Sequence, residues 1–564
     1  MKHQQTTSQW RLVAGDDWQL GSEPRVNDAD LSIEAESKIL LEAQSLDRVV
    51  HVVTVESLAW SGIALWTIAT RLVGLGVVPL SAHEARHALF QYDLVNRTNW
   101  AAAAGFHPTS GAWMHLLEAA LFATVGTNDS AARLGFALAG ILLVAMIALM
   151  RRFIGRAGSI GAATLVAISP TFTFFSRSSS TAIVVATLTL ASFVAFITLV
   201  HKPRLLPSTC LGVAAGLLCE TSAAGIATGG ILIAGLMLLG VFLMMVLERP
   251  LLELRVWLGR YASFILTAGV TAAVSWFLPH ALLFKIADIY QSLRELSAGF
   301  SAHSYFKGVE FYAPGLLLYE FSLIAAAIVG LVVTIFSVPR SRLAFYLPCW
   351  TLLTLAFFVG SHTREPDRLV ILLVPMVMLG GSGIEYLYRS RAWRFARYFV
   401  LILGGITVYC QIAASFIYPA PAANRLGHAN LYWTDGATLL AARTQLRAIR
   451  TRFPSQGGTV FMQGSWPPCL RWYLRDFRPA TSSKSADLVV YSNPPASLSE
   501  PDFNDVSSLD LQTAWQPTLH TLNPARAFRF VFFAEPWLEL QTTTVWVVVH
   551  APADVTPTLV IPPN

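Results

Sequence analysis

Within the segment Val78-Pro-Leu-Ser-Ala-His83-Glu84-Ala-Arg-His87-Ala88, one carboxylate stands between two imidazoles, directly after a long apolar run. A carboxylate held at a membrane surface can act as general base toward an acceptor hydroxyl or amine. It is equally suited to a helix start, where a negative charge meets the positive end of the backbone dipole. His83 to His87 also reads literally as H-E-x-x-H, which on a helix puts two imidazoles on one face for zinc with Glu84 as the base. No third ligand is evident among His107, His115 and Glu118, and nothing in spacing ties His107 or His115 to the pair, so these read as surface or satisfied polar histidines. No metal is assigned, and a divalent cation is left open as a cofactor.

Further candidates lie beside apolar stretches. Glu220 and Glu320 fall at or near the ends of such runs, and a carboxylate in a membrane is costly enough to be a site candidate by default. Arg364, in Ser361-His-Thr-Arg364-Glu-Pro-Asp-Arg368, has the planar, permanently charged fork that suits a phosphate; the alternative is pairing with Glu365 or Asp367. Trp472-Tyr-Leu-Arg475-Asp476 interleaves aromatic and charged residues in a way that fits sugar or peptide contact, or a pair packed beneath its aromatics. Tyr305-Phe306 and Phe311-Tyr312 read as an aromatic belt at a membrane surface.

The elements that must position these groups follow from composition. In 564 residues, 54% are hydrophobic and only 13% charged, with a mean hydropathy of +0.53, whereas average proteins carry about 25% charge. The bilayer is the expected solvent. Apolar runs of at least about 17 residues lie near 54–79, 131–152, 158–176, 179–201, 205–224, 225–247, 261–282, 315–337, 342–360, 369–387 and 397–418. They predict a polytopic all-α bundle of roughly eleven transmembrane helices. Basic clusters at Arg151–Arg156, His201–Arg204, Arg249–Arg260, Arg340–Arg342 and Arg389–Arg397 all fall on one side if the chain starts in the cytoplasm and 205–247 is two helices.

That topology gives a cytoplasmic tail at 1–51, with a helical stretch at Ile33–Ala43, and a transmembrane domain at 52–418. Its large first outer loop, 80–130, carries an interfacial helix at 113–125. A small extracytoplasmic α/β domain follows at 419–564. There Ala437–Arg452 reads as a helix, and Thr459–Met462, Asp487–Tyr491, Phe528–Phe533 and Thr544–Val549 as strands. The polar, acidic N-terminal segment does not read as a cleavable leader, so the first apolar run is expected to stay as an anchor. The +6 net charge is explained by the basic clusters and implies no nucleic acid; four of the five cysteines lie in apolar runs, so neither a disulfide framework nor a cysteine zinc site is expected.

The first run with its Pro-Leu-x-x-His-Glu-Ala loop, Ala132-Arg133-Leu134 opening the second run, and the run Leu165–Arg177 together resemble the GT-C membrane glycosyltransferases, including the protein O-mannosyltransferase and aminoarabinose transferase branch. Tyr319-Glu320, a basic-x-Pro turn and Trp472–Asp476 are similar to the bacterial and archaeal flippase-activity-associated subfamily. The likeness spans about residues 55–490. It implies inverting transfer of a sugar from a polyprenyl-phosphate donor to an acceptor on the outer face of the cell membrane. Glu84 and His83 would then stand near the acceptor, Arg364 at the donor phosphate, and Glu220, Glu320, His87, Trp472 and Arg475 would be substrate-binding candidates.

Three positions depart from the family pattern. His83 stands where it has Asp, no carboxylate occupies Thr181-Ala182, and Cys219-Glu220-Thr221 replaces a Lys-Glu-Thr-like segment. These departures support a second reading, a catalytically degenerate GT-C-fold scaffold that binds lipid or a partner protein in a membrane complex. A transporter is less favoured because no inverted repeat or paired broken helices are visible in the hydropathy.

Overall fold

A computed structural model describes residues 54–77, 79–97, 111–246, 250–283, 294, 302–336, 342–361, 364–389, 405, 458–463, 468–482, 486, 488–491, 505–512 and 542–549. Ala59–Asn564 forms one compact unit; of the other, Met1–Leu58, only 54–58 is described. The expected tail helix, the apolar run 397–418 apart from Gly405, the helix at 437–452, the strand at 528–533 and His107 lie outside the described residues.

The helices follow the apolar runs. They are α1 (Val55–Leu72), α2 (Ala82–Asn96), α3 (Ala112–Val125), α4 (Ala131–Leu149), α5 (Arg156–Ile168), α6 (Pro170–Ser176), α7 (Thr181–His201), α8 (Leu205–Thr221) and α9 (Ala223–Val246). After these come α10 (Pro250–Leu283), α11 (Ala302–Tyr319), α12 (Phe321–Phe336), α13 (Arg342–Gly360) and α14 (Arg368–Arg389). By length and composition among the described residues, five helices can cross a membrane, or up to seven if each bent pair counts as one span. Of the eleven runs expected, 205–224 and 342–360 give the shorter apolar helices α8 and part of α13, 158–176 and 315–337 are bent pairs, 54–79 gives α1, which is not among the five, and 397–418 lies outside the described residues apart from position 405.

The breaks have local causes. At Ser169-Pro170 the proline lacks an amide proton and cannot continue α5, so Ser169 caps a new helix, its Oγ accepting from the Phe172 amide at 3.2 Å. The α5–α6 pair bends by 61°. A second break lies at Glu320 between α11 and α12. In 205–247 the chain is two helices that separate at Ser222, whose backbone is extended. Paired broken helices, which hydropathy had not revealed, are thus present.

The centre of the bundle is α14, which packs against α5, α7, α12 and α13. Its residues Leu369–Val374, Val377, Met378 and Leu379 are buried with Phe193, Tyr346 and Trp350 in the main apolar core. Outward-facing residues of α1, α9 and α10, among them Leu65, Ile233, Leu266 and Phe277, stay exposed, as lipid-facing positions do. Tyr305 and Phe306 are exposed as well, but Tyr312 is 1% exposed and belongs to the core, so the belt reading fails at that residue.

Beyond the bundle, strands β1 (Thr459–Gln463), β2 (Arg478–Pro479), β3 (Leu488–Tyr491), β4 (Asp505–Gln512) and β5 (Thr542–Val549) form one mixed sheet in the order β2-β1-β3-β5-β4. The β1 pairings are parallel, with Val460 opposite Leu488; β5 runs antiparallel to β3 and β4, with Val549 opposite Leu488 and Asp505. The polar sequence of β4 hides an edge strand, since Asp and Ser are poor strand formers. Between β1 and β2 lies the short helix α15 (Pro468–Tyr473), packed on α2. A second apolar core joins the two regions: Leu80, Ala85, Leu89 and Phe122 bury against Val460, Leu470, Trp472, Leu474 and Phe477. Full burial of such a side chain contributes about 1.5–3 kcal/mol each, which makes this region part of the first loop's fold.

Candidate functional site

Helix α2 begins where the sequence offers a capping box. Ser81 Oγ accepts from the Glu84 amide, and the Glu84 carboxylate reaches back to the Ser81 amide at 2.9 Å. The same carboxylate is gripped by Arg133 at the start of α4: Nε donates to Oε1 and Nη2 to Oε2, both at 2.7 Å. The Ser179 amide donates to Oε1 at 3.1 Å. Four donors therefore fill the four lone-pair positions of one carboxylate. Arg133 also binds the carbonyls of Leu75 and Pro79 at 2.8 and 2.9 Å, tying the end of the first run to α4. Although burial alone would raise it, the Glu84 carboxyl is held below the usual range by Arg133 and the amides of Ser81 and Ser179.

His83, one residue earlier, is half-buried; burial lowers its imidazole, against the pull of Glu365 and Glu84. Its ring lies 4.8 Å from that of His87, and the His87 ring is stacked 5.9 Å from that of His115. His115 is therefore neither a surface residue nor separate from the pair. Gln91 Nε2 donates to His115 Nδ1 at 2.8 Å and to Glu118 Oε2, joining α2 to α3 through a buried polar file. Burial, and then His83, His115 and Arg86, push His87 well below the ordinary imidazole value, while burial pushes Glu118 well above the ordinary carboxyl value. Among the described residues no group of three or more His, Cys, Asp and Glu is arranged to hold a metal ion. The base that an H-E-x-x-H site would need, Glu84, is paired with Arg133.

From the other direction the last turn of the bundle arrives. Ser180, the N-cap of α7, donates through Oγ to Asp367 Oδ2 at 3.0 Å. Consecutive serines thus touch Glu84 and Asp367, bringing the start of α2, the 177–180 turn and the 364–368 turn to one end of the bundle. Asp367 Oδ1 is out of contact with solvent and has no hydrogen-bond partner. Burial and Glu365 push the Asp367 carboxyl up to about 7, against the pull of Arg368 and Ser180. Arg368 Nη2 meets Glu365 Oε2 at 3.2 Å, with the Glu365 side chain 63% exposed. Arg364, half-buried, donates through Nη2 to the carbonyl and hydroxyl of Ser304, both at 3.0 Å, and not to Glu365 or Asp367. Its Nε has no partner.

The remaining candidates have other partners. Glu220 caps α3, both carboxylate oxygens accepting from the Trp113 amide at 3.3 and 3.4 Å. Glu320 is fully buried between the two broken pairs, where Oε1 accepts from Ser169 Oγ at 2.5 Å and from the Thr171 amide at 3.0 Å. Trp472 is 0% exposed, and its indole donates to Asp129 Oδ1 at 2.8 Å. Tyr473 donates to Asp129 Oδ2 at 3.1 Å while its oxygen accepts the Leu80 amide at 2.8 Å. Arg475 lies 3.8 Å over the Trp472 ring and donates to the Thr127 carbonyl at 2.7 Å. The Trp472–Asp476 run is therefore a clamp on the first loop. Sequence reasoning missed Arg133, Ser179, Ser180, Asp367, Gln91 and Asp129 as members of these networks; only the serines, at a helix start, carried a local signal.

This architecture is the fold of the GT-C membrane glycosyltransferases. The chain is similar to the crystal structure of ArnT from Cupriavidus metallidurans bound to undecaprenyl phosphate, at 14% identity and a TM-score of 0.55 over 88% of this chain and 99% of that one. The apo state of the same ArnT matches at 12% identity and 0.54 over 87% and 98%. An oligosaccharyltransferase of Archaeoglobus fulgidus, tethered with an acceptor peptide, matches at 13% identity and 0.48 over 77% and 64%. No family model and no curated protein sequence matches the chain.

Proposed function

We propose that this chain is a membrane glycosyltransferase that moves a sugar from a polyprenyl-phosphate donor to an acceptor at the outer face of the cell membrane, with inversion at the anomeric carbon. The observation that carries the reading is the meeting of His83 and Glu84, Ser179 and Ser180, and Arg364 to Arg368 at one end of a bundle with the GT-C fold. The ArnT structure that matches over nearly its whole length holds undecaprenyl phosphate, the class of lipid carrier assigned here to this chain.

Each group has a role in that reaction. Arg364, anchored by Ser304 with Nε left over, presents a planar cation for the donor phosphate and stabilises the charge that grows there as the sugar leaves. His83 and Glu84 stand on the acceptor side, and the Glu84–Arg133 pair fixes the direction in which α2 leaves the membrane. Lipid surrounds the bundle, the basic clusters lie in the cytoplasm with the 1–51 tail, and the 419–564 region lies outside on the first loop.

One observation favours a second reading. The carboxylate expected to be the base, Glu84, already accepts four hydrogen bonds, which suits a scaffold subunit that holds lipid or a membrane partner without turnover. The two readings separate in one experiment. The full chain in nanodiscs is given undecaprenyl-phosphate-linked hexoses and an aminopentose, each labelled in the sugar, with a membrane extract as acceptor. Loss of label from the carrier, reduced about tenfold or more by Arg364→Ala, supports the transferase. Carrier binding without loss of label from any donor supports the scaffold.

A further inference from the structure

We infer that Asp367 is the general base of this site, taking the proton from the attacking acceptor on its free Oδ1, while Glu84 is a positioning residue. The inference rests on the transferase reading and names the residue within it that does the proton transfer.

Two carboxylates are brought together by the 179–180 turn, and they differ in what remains open on them. Glu84 has its four acceptor positions filled, two by a guanidinium at 2.7 Å. A base in that state must break a buried ion pair before it can accept a proton, and such pairs resist loss of one partner by about 3–5 kcal/mol. Among side chains Asp367 is held through Oδ2 alone, by Ser180 at 3.0 Å, with the Arg368 backbone amide also drawn to the carboxylate, and its buried Oδ1 has no partner in good hydrogen-bonding geometry. An oriented carboxylate with one oxygen fixed and one open is the geometry a general base needs.

A second observation comes from another helix. Tyr312 on α11 is 1% exposed, and its hydroxyl, near the Glu365 backbone, has no partner in good hydrogen-bonding geometry while sitting in the field of Asp367, Glu365 and Arg368. A buried phenol and a buried carboxylate oxygen, each without a partner in good geometry and each within the field of the same turn, are groups a bound polar molecule could satisfy, since buried polar groups otherwise find partners within the fold. The charged and titratable groups around Asp367 are Glu365 and Arg368 of its own turn and Tyr312 of α11, with His83 of α2 facing Glu365. Burial, and then Glu365, push the carboxyl up to about 7 against the pull of Arg368 and Ser180, where it is half ionised at neutral pH and a matched base.

The step balances without a co-reactant. The acceptor oxygen or nitrogen forms its bond to the anomeric carbon as the bond from that carbon to the phosphate oxygen breaks. The electron pair leaves with the polyprenyl phosphate beside Arg364, and the acceptor's proton passes to Asp367 Oδ1.

The test measures sugar transfer by the full chain in nanodiscs, with the labelled undecaprenyl-phosphate sugars above, for wild type, Asp367→Asn, Asp367→Glu and His83→Ala across pH 5.5 to 8.5. The expected result is a kcat roughly 10²–10⁴-fold lower in Asp367→Asn with donor KM and carrier binding kept, loss of the rise in kcat with pH, and partial recovery in Asp367→Glu. Transfer by wild type that survives in Asp367→Asn overturns the inference and leaves the transferase reading standing; if His83→Ala then abolishes the pH-dependent rise, the imidazole is the base. Absence of transfer by wild type, with the carrier still bound, overturns both. Equal melting temperatures of wild type and Asp367→Asn separate loss of chemistry from loss of fold.

Discussion

Replacing Glu84 by Gln asks whether that carboxylate holds the structure or does the chemistry. Its Oε1 accepts from Arg133 Nε at 2.7 Å and the Ser179 amide at 3.1 Å, and its Oε2 from Arg133 Nη2 at 2.7 Å and the Ser81 amide at 2.9 Å. In Glu84→Gln the amide nitrogen takes the place of one oxygen and faces two donors, so two of the four bonds fail. Arg133, itself 4% exposed, loses its countercharge. Breaking a buried pair from one side costs about 3–5 kcal/mol, which corresponds to an opening of the loop raised roughly 10²-fold to several 10³-fold, at 1.4 kcal/mol per tenfold. Hydrogen exchange of peptides covering 79–97 and 177–182 in nanodiscs reads this directly, because either the Ser81 or the Ser179 amide loses its acceptor along with one Arg133 bond. Arg133→Met, costly in wild type, becomes much less so on top of Glu84→Gln, since the orphaned charge is then gone. Because the folded carboxyl is held below its unfolded value, its stabilisation is present above the unfolded pKa and is lost as pH falls through the folded one; the wild-type loop therefore loosens in acid, below about 4.3, and Glu84→Gln lacks that loss. If Glu84→Gln abolishes transfer while exchange stays within about threefold of wild type, a shift of under about 0.7 kcal/mol, the positioning role is refuted and Glu84 belongs to the chemistry.

Two further perturbations test the surroundings of the site. Asp129→Ala leaves the Trp472 indole and the Tyr473 hydroxyl without their shared acceptor, and hydrogen bonds to a charged group contribute about 1.5–3 kcal/mol each. In a variant that keeps Cys469, buried at 3% exposure, as its sole cysteine, maleimide labelling should speed up at least tenfold with Asp129→Ala; an unchanged rate means the Asp129 clamp does not hold this region. The His87 and Glu118 pair gives the α2–α3 contact opposite pH limbs. His87 has a depressed folded pKa, so its stabilisation is present above about 6.5 and is lost as pH falls. Glu118 has a raised one, so its stabilisation is present below about 4.3 and is lost as pH rises through the folded value. Exchange of α2 and α3, corrected for intrinsic rates, should lose its acid limb in His87→Asn and its alkaline limb in Glu118→Gln; limbs that survive these substitutions place the titration elsewhere.

What could be read along the chain and what could not divides by distance in sequence. The capping box Ser81-x-x-Glu84, the break at Ser169-Pro170 and the apolar runs are local, and periodicity or turn chemistry displays them. The identity of the groups that complete each local feature is not. Glu84 meets Arg133 across 49 residues and Ser179 across 95; Ser180 meets Asp367 across 187; Asp129 meets Trp472 across 343. In the sequence His83-Glu84 therefore reads as a base in waiting, because the arginine that saturates Glu84 is visible only as part of an Ala-Arg-Leu opening. Likewise Asp367 reads as a neighbour able to neutralise Arg364, because adjacency along a turn suggests pairing, whereas in space Arg364 turns to Ser304 and Asp367 to Ser180. The missing carboxylate near Thr181 looked like a loss of function for the same reason. A site assembled from three turns needs an acid at a place in space, and the last turn delivers Asp367 to the cap of the helix that begins at Thr181. Counting acids at expected sequence positions therefore underestimates what the bundle end can do, because the carboxylate oxygen left without a partner there belongs to Asp367 and not to a residue at 83 or 181.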